Sequence, residues 1–300
     1  METKVIEVEI PVPWGHVAAK IWGNQNDPLV LVIHGIMDNA GSFDRLIPLL
    51  PTSFCYICID LPGHGRSSHF PPFLPIYTIN YVIVYKLIMQ YYKREKYIIL
   101  GHSYGAQIGF LFARLYPEYV EKLIMLDTIH FFPIHVGQFQ QNLTDKFDYI
   151  IELNEKMKTK SRPTYTYNEA LQKLQDQRRN GHITREAAQA LIHRSITKAP
   201  DGKYAFTLDP RMNSFVNPIH DFRYIIDTLK KFPVTCPVLM LLGRDSELQQ
   251  MYMKPVTKFL QRYRNIRIKQ VDGTHDVHNN NPEIVAPYVS KFLLMKKGKL

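Results

Sequence analysis

The sequence predicts an α/β protein built on a mostly parallel sheet with helices on both faces. Short apolar runs, such as residues 29–33 and 237–242, have the pattern of strands that are buried on both faces. Along the chain they alternate with longer segments of helical periodicity, such as residues 77–93. Strands that alternate with helices are typical of parallel sheets. A chain of 300 residues is long enough to bury one large core of this kind.

The predicted elements follow one another in a regular order. Residues 4–10 and 17–22 predict a leading hairpin, with Pro11, Pro13 and Gly15 between the two strands. We then expect strands at 29–33, 54–59, 96–100, 120–126, 237–242 and 266–271, helices at 42–50, 77–93 and 106–116, and a last helix from Pro282. Sites in open α/β sheets lie at the carboxyl ends of the strands, so functional residues are expected at that edge.

Residues 130–218 interrupt this order. The stretch is rich in Gln, Lys, Arg and Glu, lacks a run typical of a buried strand, and carries helical patterns at 144–158, 167–180 and 184–194. The core pattern resumes at residue 219. We therefore expect a core formed by 1–129 and 219–300, with 130–218 inserted as a helical cap. A lid in this position would exclude water and shape the substrate pocket.

Composition and cysteine content indicate an ordinary globular enzyme of a reducing compartment. Hydrophobic residues make up 45% of the chain and charged residues 21%. Neither a secretion signal nor an apolar run of membrane-spanning length is visible, so we expect no integral membrane segment. The three cysteines are Cys55, Cys58 and Cys236, an odd number that argues against a disulfide framework. Cys55 and Cys58 should lie on opposite faces of one strand, which disfavours a zinc or redox pair.

The net charge of +10 is spread over several short clusters, and no nucleic-acid-binding motif accompanies them. We therefore expect a solvated basic surface and no nucleic-acid partner. The last three residues, Gly298-Lys299-Leu300, differ at one position from the peroxisomal signal Ser-Lys-Leu. The expected location is cytoplasmic, and the second choice is the peroxisome, reached through a peroxisomal import receptor.

The most informative motif is the pentapeptide from Gly101 to Gly105, which reads G-x-S-x-G. It directly follows a predicted strand and directly precedes a predicted helix. A serine hydroxyl is a weak nucleophile, and it must project from a sharp strand-to-helix turn toward a base. Flanking glycines permit such a turn because a β-carbon would clash there. The motif therefore predicts a nucleophile elbow with Ser103 as the nucleophile.

A base and an oxyanion hole can be assigned at the same sheet edge. His275 follows the last predicted strand on a loop freed by Gly273, and a neutral imidazole can take the serine proton. His278 is the competitor, but it is nearer the last helix and is expected to pack there. Strand 29–33 leads into His34-Gly35-Ile36. The backbone N–H groups of Ile36 and Tyr104 are the pair expected to stabilise an oxyanion.

The acid of the triad has three candidates. Asp245 follows strand 237–242 and precedes His275, which gives the chain order Ser, Asp, His. Asp127 ends strand 120–126 and should reach the same sheet edge, so it is the alternative acid. Glu247 is the third candidate. Any of these carboxylates could instead be a solvated loop residue or a helix N-cap.

These motifs resemble those of the serine hydrolase-like (kraken-type) family of α/β-hydrolases. The resemblance rests on residues 34–46, 60–68, 101–105 and 273–282, with a similar cap segment at 196–211. It implies an α/β-hydrolase fold with an eight-stranded sheet and an inserted helical cap. It also implies Ser103 as nucleophile, His275 as base, and Ile36 with Tyr104 as oxyanion hole. In the family's acid motif, G-x-x-D, Ser246 stands here where the acid is expected, and Asp245 comes one residue early. Because some related hydrolases place the acid after the sixth strand, Asp127 stays open.

The predicted function is hydrolysis of an ester or related acyl bond of a small molecule, with no cofactor and no metal. Ser103 would attack the acyl carbon, His275 would accept the proton, and Asp245 or Asp127 would orient the imidazole. A carbon–carbon bond hydrolase or a cofactor-free haloperoxidase would use the same residues. From another class, a ligand sensor on this fold would turn over very slowly. Measured turnover separates the enzyme from the sensor.

Overall fold

An eight-stranded, mostly parallel sheet forms the centre of the computed structural model, which describes residues 5–159, 162–178, 181–218, 220–246 and 254–296. The strands of the described residues are β1 Val5–Val12, β2 Gly15–Trp22, β3 Leu29–Ile33, β4 Cys55–Ile59, β5 Tyr97–His102, β6 Val120–Leu126, β7 Ile196–Lys198, β8 Tyr204–Phe206, β9 Val238–Gly243 and β10 Ile266–Val271. Strands β7 and β8 form a separate two-stranded sheet. The order across the sheet is β1-β2-β4-β3-β5-β6-β9-β10. Strand β2 pairs antiparallel with β1 and β4, and the pairs from β4 to β10 are parallel. The predicted sheet is confirmed.

Helices cover both faces of this sheet. The helices of the described residues, in chain order, are α1 Asn80–Tyr92, α2 Ser103–Leu115, α3 Phe139–Thr159, α4 Tyr167–Asp176, α5 Arg185–Ser195, α6 Phe222–Lys231, α7 Lys254–Leu260, α8 Val277–Asn280 and α9 Pro282–Leu293. One apolar core packs α1, α2, α6 and α7 against the sheet, and a second core on the other face includes α9. Alternate residues of the central strands enter the two cores. Cys55 and Cys58 accordingly belong to different cores, as the sequence predicted.

One predicted helix is wrong. Residues 42–50 do not form an α-helix but two short 3₁₀ turns, Ala40–Phe43 and Ile47–Leu49. Pro48 has no N–H to continue a helix. Gly41 packs so closely on α5 that a β-carbon there would lie 2.1 Å from the carbonyl oxygen of Ala190. The helix predicted at 106–116 also begins earlier, at Ser103, because the strand turns directly into it.

Residues 130–218 leave the core after β6 and return before α6. They carry α3, α4 and α5, together with the antiparallel hairpin β7–β8, which the sequence did not predict. Strands of three residues are too short to show a period-two pattern. The side chains of α4 and α5 enclose a small apolar core of their own. Thr166 and Thr184 cap the two helices with their hydroxyl groups. We call residues 130–218 the cap.

Some predictions fall on residues that lie outside the described part of the chain. These are Gly298-Lys299-Leu300, the acid candidate Glu247 and the return of the core at residue 219. Among the described residues, no helix combines the length and apolarity needed to cross a bilayer.

Candidate active site

Ser103 lies at the sharp turn between β5 and α2. Its φ of 46° is in the left-handed region, which non-glycine residues rarely adopt. A β-carbon at Gly105 would lie 2.6 Å from the carbonyl oxygens of Ile33 and His34, and one at Gly101 would lie 2.6 Å from the backbone of Ala106. Only glycine therefore allows α2 to approach the sheet this closely. The local structure is that of the predicted elbow.

His275 reaches Ser103 from the loop after β10. Its Nε2 lies 2.9 Å from Ser103 Oγ, which is hydrogen-bond distance. Gly273 in the same loop has a φ of 131°, and a β-carbon there would lie 2.7 Å from a methyl group of Val277. The glycine thus permits the bend that carries His275 over the sheet edge. The sequence predicted this placement.

The carboxylate beside His275 is that of Asp127, and the preference for Asp245 is wrong. Asp127 Oδ2 lies 2.5 Å from His275 Nδ1, and the Asp127 side chain is fully buried. Asp245 is exposed, and its backbone N–H donates to the carbonyl oxygen of Gly273 at 3.1 Å. Its backbone therefore binds the histidine loop, while its carboxylate is exposed to solvent. The alternative acid therefore has the required contact.

Two neighbouring groups hold the Asp127 carboxylate in place. The backbone N–H of Gly243 donates to Oδ1 at 2.7 Å, and the hydroxyl of Ser246 donates to Oδ2 at 2.5 Å. Because β6 and β9 are adjacent parallel strands, their ends bring these groups together. Ser246, which stands where the family motif has its acid, thus supports the carboxylate that β6 supplies.

Two opposing effects act on the pKa of His275. Burial lowers the pKa of the imidazole, but the hydrogen bond and the negative charge of Asp127 outweigh it, with a further contribution from Asp276. The net effect raises the pKa of His275 above its ordinary value. An imidazole tuned in this way accepts a proton more readily, which is what a general base requires.

The predicted oxyanion groups belong to two segments next to Ser103, the loop after β3 and the first turn of α2. The loop with Gly35 and Ile36 packs against the elbow so closely that a β-carbon at Gly35 would lie 3.3 Å from Ser103 Cβ. Tyr104 is the second residue of α2, and N–H groups in the first turn of a helix have no partner within it. The side chain of Tyr104 is buried, and its hydroxyl donates to Thr78 Oγ1 at 3.0 Å. Both N–H groups belong to backbone that borders the serine.

His278, the competing base, does not contact Ser103. It is fully buried, and its ring packs on that of His102 at 4.0 Å and on Phe43 at 5.1 Å. Neither ring nitrogen of His278 has a hydrogen-bond partner among the described residues. Burial lowers its pKa well below the ordinary value, so the ring is neutral and packs as expected. Burial also lowers the pKa of His102 to about 3.

Arg178 joins the cap to two loops of the site, and the sequence did not predict it. Its guanidinium donates to Asp38 Oδ1 and to Asp276 Oδ1, each at 2.7 Å. The carboxylates of Asp38 and Asp276, with His102, form a group that could hold a metal ion. Because the guanidinium already supplies the positive charge between these carboxylates, we assign no metal to the group. The only signal in the sequence is the pair of acidic residues beside the loops that carry Ile36 and His275.

A cavity of about 390 Å³ opens in front of Ser103. From the core, its wall includes Gly35, Ile36, Met37, Ser103 and His275, and from the cap it includes Tyr165, Lys173, Leu174, Phe206 and Leu208. The cap thus supplies much of the apolar and aromatic wall. Enclosed, mostly apolar spaces with a few polar groups are typical of small-molecule sites.

A family model described as the alpha/beta hydrolase fold matches residues 28–266, which include Ser103, Asp127 and the strands that carry them. Together with the sheet and the elbow, this match places the chain among the alpha/beta hydrolases. Within that class, the chain belongs to the serine hydrolase-like proteins, because it shares more than 30% of its residues with members over nearly its whole length.

Two members illustrate this similarity. The serine hydrolase-like protein 2 of Homo sapiens is 34% identical over 304 residues, which cover 96% of this chain and 94% of that protein. The serine hydrolase-like protein of Mus musculus is 32% identical over 303 residues, covering 96% and 95%. Among solved structures, a hypothetical protein from Pseudomonas aeruginosa has a TM-score of 0.81 at 24% identity, covering 96% of this chain and 97% of its own. That likeness concerns the fold alone.

Proposed function

We propose that this hydrolase cleaves an ester or related acyl bond, with Ser103 as nucleophile, His275 as general base and Asp127 as the acid that orients the imidazole. The observation that carries the proposal is the continuous set of contacts from Ser103 Oγ to His275 at 2.9 Å and from His275 to Asp127 at 2.5 Å. A buried Ser-His-Asp arrangement of this geometry is the one that activates a serine hydroxyl in unrelated folds.

The proposed reaction has two halves. Ser103 Oγ attacks the acyl carbon while its proton moves to His275 Nε2, and the N–H groups of Ile36 and Tyr104 stabilise the oxyanion. The imidazolium then protonates the leaving alcohol, and an acyl-enzyme remains on Ser103. A water molecule, deprotonated by His275, attacks the acyl carbon, and the carboxylic acid leaves as the proton returns to Ser103. Asp127 stabilises the imidazolium in both halves.

The experiment that tests this proposal compares wild type with Ser103→Ala on short-chain aryl esters. Loss of the nucleophile should lower kcat by about 10⁶, as in other serine triads. Circular dichroism and thermal unfolding check that the variant keeps the native fold. Full activity in folded Ser103→Ala would refute the assignment. A wild-type protein that binds aryl esters without turnover would instead support the ligand-sensor alternative.

A further inference from the structure

We propose that Arg178, a residue of the cap, positions both the oxyanion-hole loop and the histidine loop, so that full activity requires the cap to be docked through this side chain. The role rests on the serine hydrolase function proposed above. Through Arg178, the cap would position catalytic groups as well as form a wall of the cavity.

The geometry of the guanidinium carries this inference. Arg178 Nη1 lies 2.7 Å from Asp38 Oδ1, and Nη2 lies 2.7 Å from Asp276 Oδ1. The two terminal nitrogens of one planar group therefore bind two different loops of the core. Because the guanidinium fork is rigid, it fixes the separation of the two carboxylates as well as their charge balance.

Burial makes these contacts strong constraints. The side chain of Arg178 is 14% exposed, and those of Asp38 and Asp276 are 1% and 3% exposed. Exposed ion pairs are screened by water and constrain little, whereas loss of one partner from a buried pair leaves an uncompensated charge. Without Arg178, both loops would have to rearrange or admit water in order to solvate their carboxylates.

Each carboxylate is next to a group that the reaction needs. The N–H of Asp38 donates to the carbonyl oxygen of Gly35 at 3.2 Å and closes a turn that contains Ile36. Asp276 directly follows His275 in the chain. Displacement of the first loop would move an oxyanion donor, and displacement of the second would move the base. A displacement of about 1 Å in a catalytic group can cost about 10²-fold in rate.

The charges around His275 give the inference a second readout. Within the part of the chain that the structure describes, the charged groups that face this imidazole are Asp127, Asp276 and Arg178, while the neighbouring rings of His102 and His278 are neutral. Asp276 raises the pKa of His275, and Arg178 lowers it. Removal of the arginine should therefore raise this pKa, and removal of the Asp276 charge should lower it. A purely structural role would not produce shifts of opposite sign.

The chain offers a matched control in Arg194. This residue also comes from the cap and binds two core carboxylates, with Nη1 2.6 Å from Glu7 Oε1 and Nη2 2.9 Å from Asp60 Oδ2. Its side chain is 3% exposed, so its burial is comparable. Neither partner borders Ser103 or His275 in the chain. Asp60 also accepts the N–H groups of Ala40 at 2.7 Å and Arg66 at 2.8 Å, and these contacts remain without the arginine. Arg194→Gln should therefore loosen the cap while the catalytic groups keep their positions.

The test measures kcat, KM and the pH profile of kcat/KM with an aryl ester for wild type and each full-length variant. Arg178→Gln should lower kcat by about 10²-fold and move the acid limb to higher pH. Arg178→Lys restores a charge that cannot span both carboxylates, so it should restore the limb but leave kcat reduced. Asp276→Asn should move the limb to lower pH. Arg194→Gln should lower Tm and leave kcat and the limb as in wild type.

Two results would overturn the inference. One is wild-type kcat and an unshifted limb in Arg178→Gln, and the other is equal losses in Arg178→Gln and Arg194→Gln. If Arg178→Gln does not fold, Arg178→Lys and Asp276→Asn decide, and either a wild-type kcat in Arg178→Lys or an unshifted limb in Asp276→Asn contradicts the inference. Failure of the hydrolase function itself is distinguishable, because wild type would then show no turnover that depends on Ser103.

Discussion

The buried carboxylate of Asp127 has three hydrogen-bond partners among the described residues. It contacts His275 Nδ1, the N–H of Gly243 and the hydroxyl of Ser246. The last two contacts fix its orientation, so the imidazole meets a carboxylate that needs no rearrangement when the proton moves. At the residue scale, the proposed catalysis depends on this preorganised charge.

We expect Asp127→Asn to reduce the plateau of kcat/KM by about 10⁴, because the amide no longer stabilises the imidazolium. The base must be neutral, so activity should rise with pH through the pKa of His275, which Asp127 raises above 6.5 in wild type. With that charge gone, burial dominates, and the acid limb should move to lower pH. Asp245→Asn is the matched control, since its carboxylate is exposed, and should change neither quantity. A large loss in Asp245→Asn with a mild effect in Asp127→Asn would contradict the assignment.

The sequence predicted Ser103 and His275 as a pair, and the structure brings them together, but the sequence ranked Asp245 ahead of Asp127 as the acid. Asp127 and Asp245 follow neighbouring parallel strands and reach the same sheet edge, so chain order alone cannot rank them. The choice depends on where the histidine loop crosses the strand ends. Arg178 was inaccessible for a similar reason, because its partners are 140 and 98 residues away in the chain.

At the scale of elements, the close packing of α2 on the sheet places Ser103 at the end of the strand. The helix begins at the serine itself and lies against β3 and β5 through Gly105 and Gly109. The tight approach is what keeps the elbow strained and the hydroxyl aimed toward the base. The position of the nucleophile is therefore a property of how one helix meets the sheet.

We expect Gly105→Ala to lower the free energy of unfolding by about 1–3 kcal/mol, as overpacking in a close-packed core does. The added methyl would lie 2.6 Å from two carbonyl oxygens, so α2 must move away from β3. Activity should fall together with stability. Gly137→Ala in the cap is the control, since the nearest atom to its β-carbon would be His135 Nδ1 at 3.5 Å. Denaturant titration measures the free energy of unfolding of both variants. An undiminished value in Gly105→Ala would contradict this packing argument.

Elements with strong periodicity could be predicted, and short irregular ones could not. Central strands such as β3 and β4 were predicted because each is an apolar run buried on both faces, whereas β10 was predicted from its alternation. The segment 42–50 was predicted as a helix, but contacts with α5, distant in the chain, fix it as 3₁₀ turns. The hairpin β7–β8 depends on cross-strand pairing of only three residues a side, which leaves no local signature.

At the scale of the whole molecule, neutral imidazoles are buried throughout. Burial lowers the pKa of His34 to about 4 and the pKa values of His64 and His130 to about 3. His102 and His278 belong to the same group. Each of these rings stays neutral in the native protein at a pH where the same imidazole in the unfolded chain would already be protonated. The unfolded state therefore binds more protons in weakly acidic solution.

The protein should lose stability as the pH falls through the ordinary histidine pKa. A lowered native pKa means that the stabilisation is present above that value and is lost below it, by about 1.4 kcal/mol per pH unit for each such histidine. The raised pKa of His275 acts in the opposite direction, but it is one residue against several. Urea unfolding from about pH 7.5 to about pH 5 measures this slope.

His278→Leu should make the slope shallower, because one buried imidazole no longer titrates. His182→Leu is the control, since the His182 side chain is 76% exposed, and it should leave the slope unchanged. A free energy of unfolding that does not change over this pH range would refute the prediction.

The architecture of the whole chain followed from its alternating pattern, since each apolar strand and each crossover helix has its own local signal. How the cap meets the core did not follow. That meeting depends on a few long-range ion pairs, such as those of Arg178 and Arg194, whose members have no local relation. Patterns of burial predict which segments pack, but they do not specify the partners of single charged side chains.

If Ser103 is an activated nucleophile, it should react with a fluorophosphonate. The most direct measurement is to label the folded protein with a fluorophosphonate and to map the adduct by peptide mass spectrometry. We predict one adduct, on Ser103, with labelling absent in Ser103→Ala and strongly slowed in His275→Gln. An adduct on a different residue, or folded wild-type protein that hydrolyses aryl esters without labelling, would contradict it.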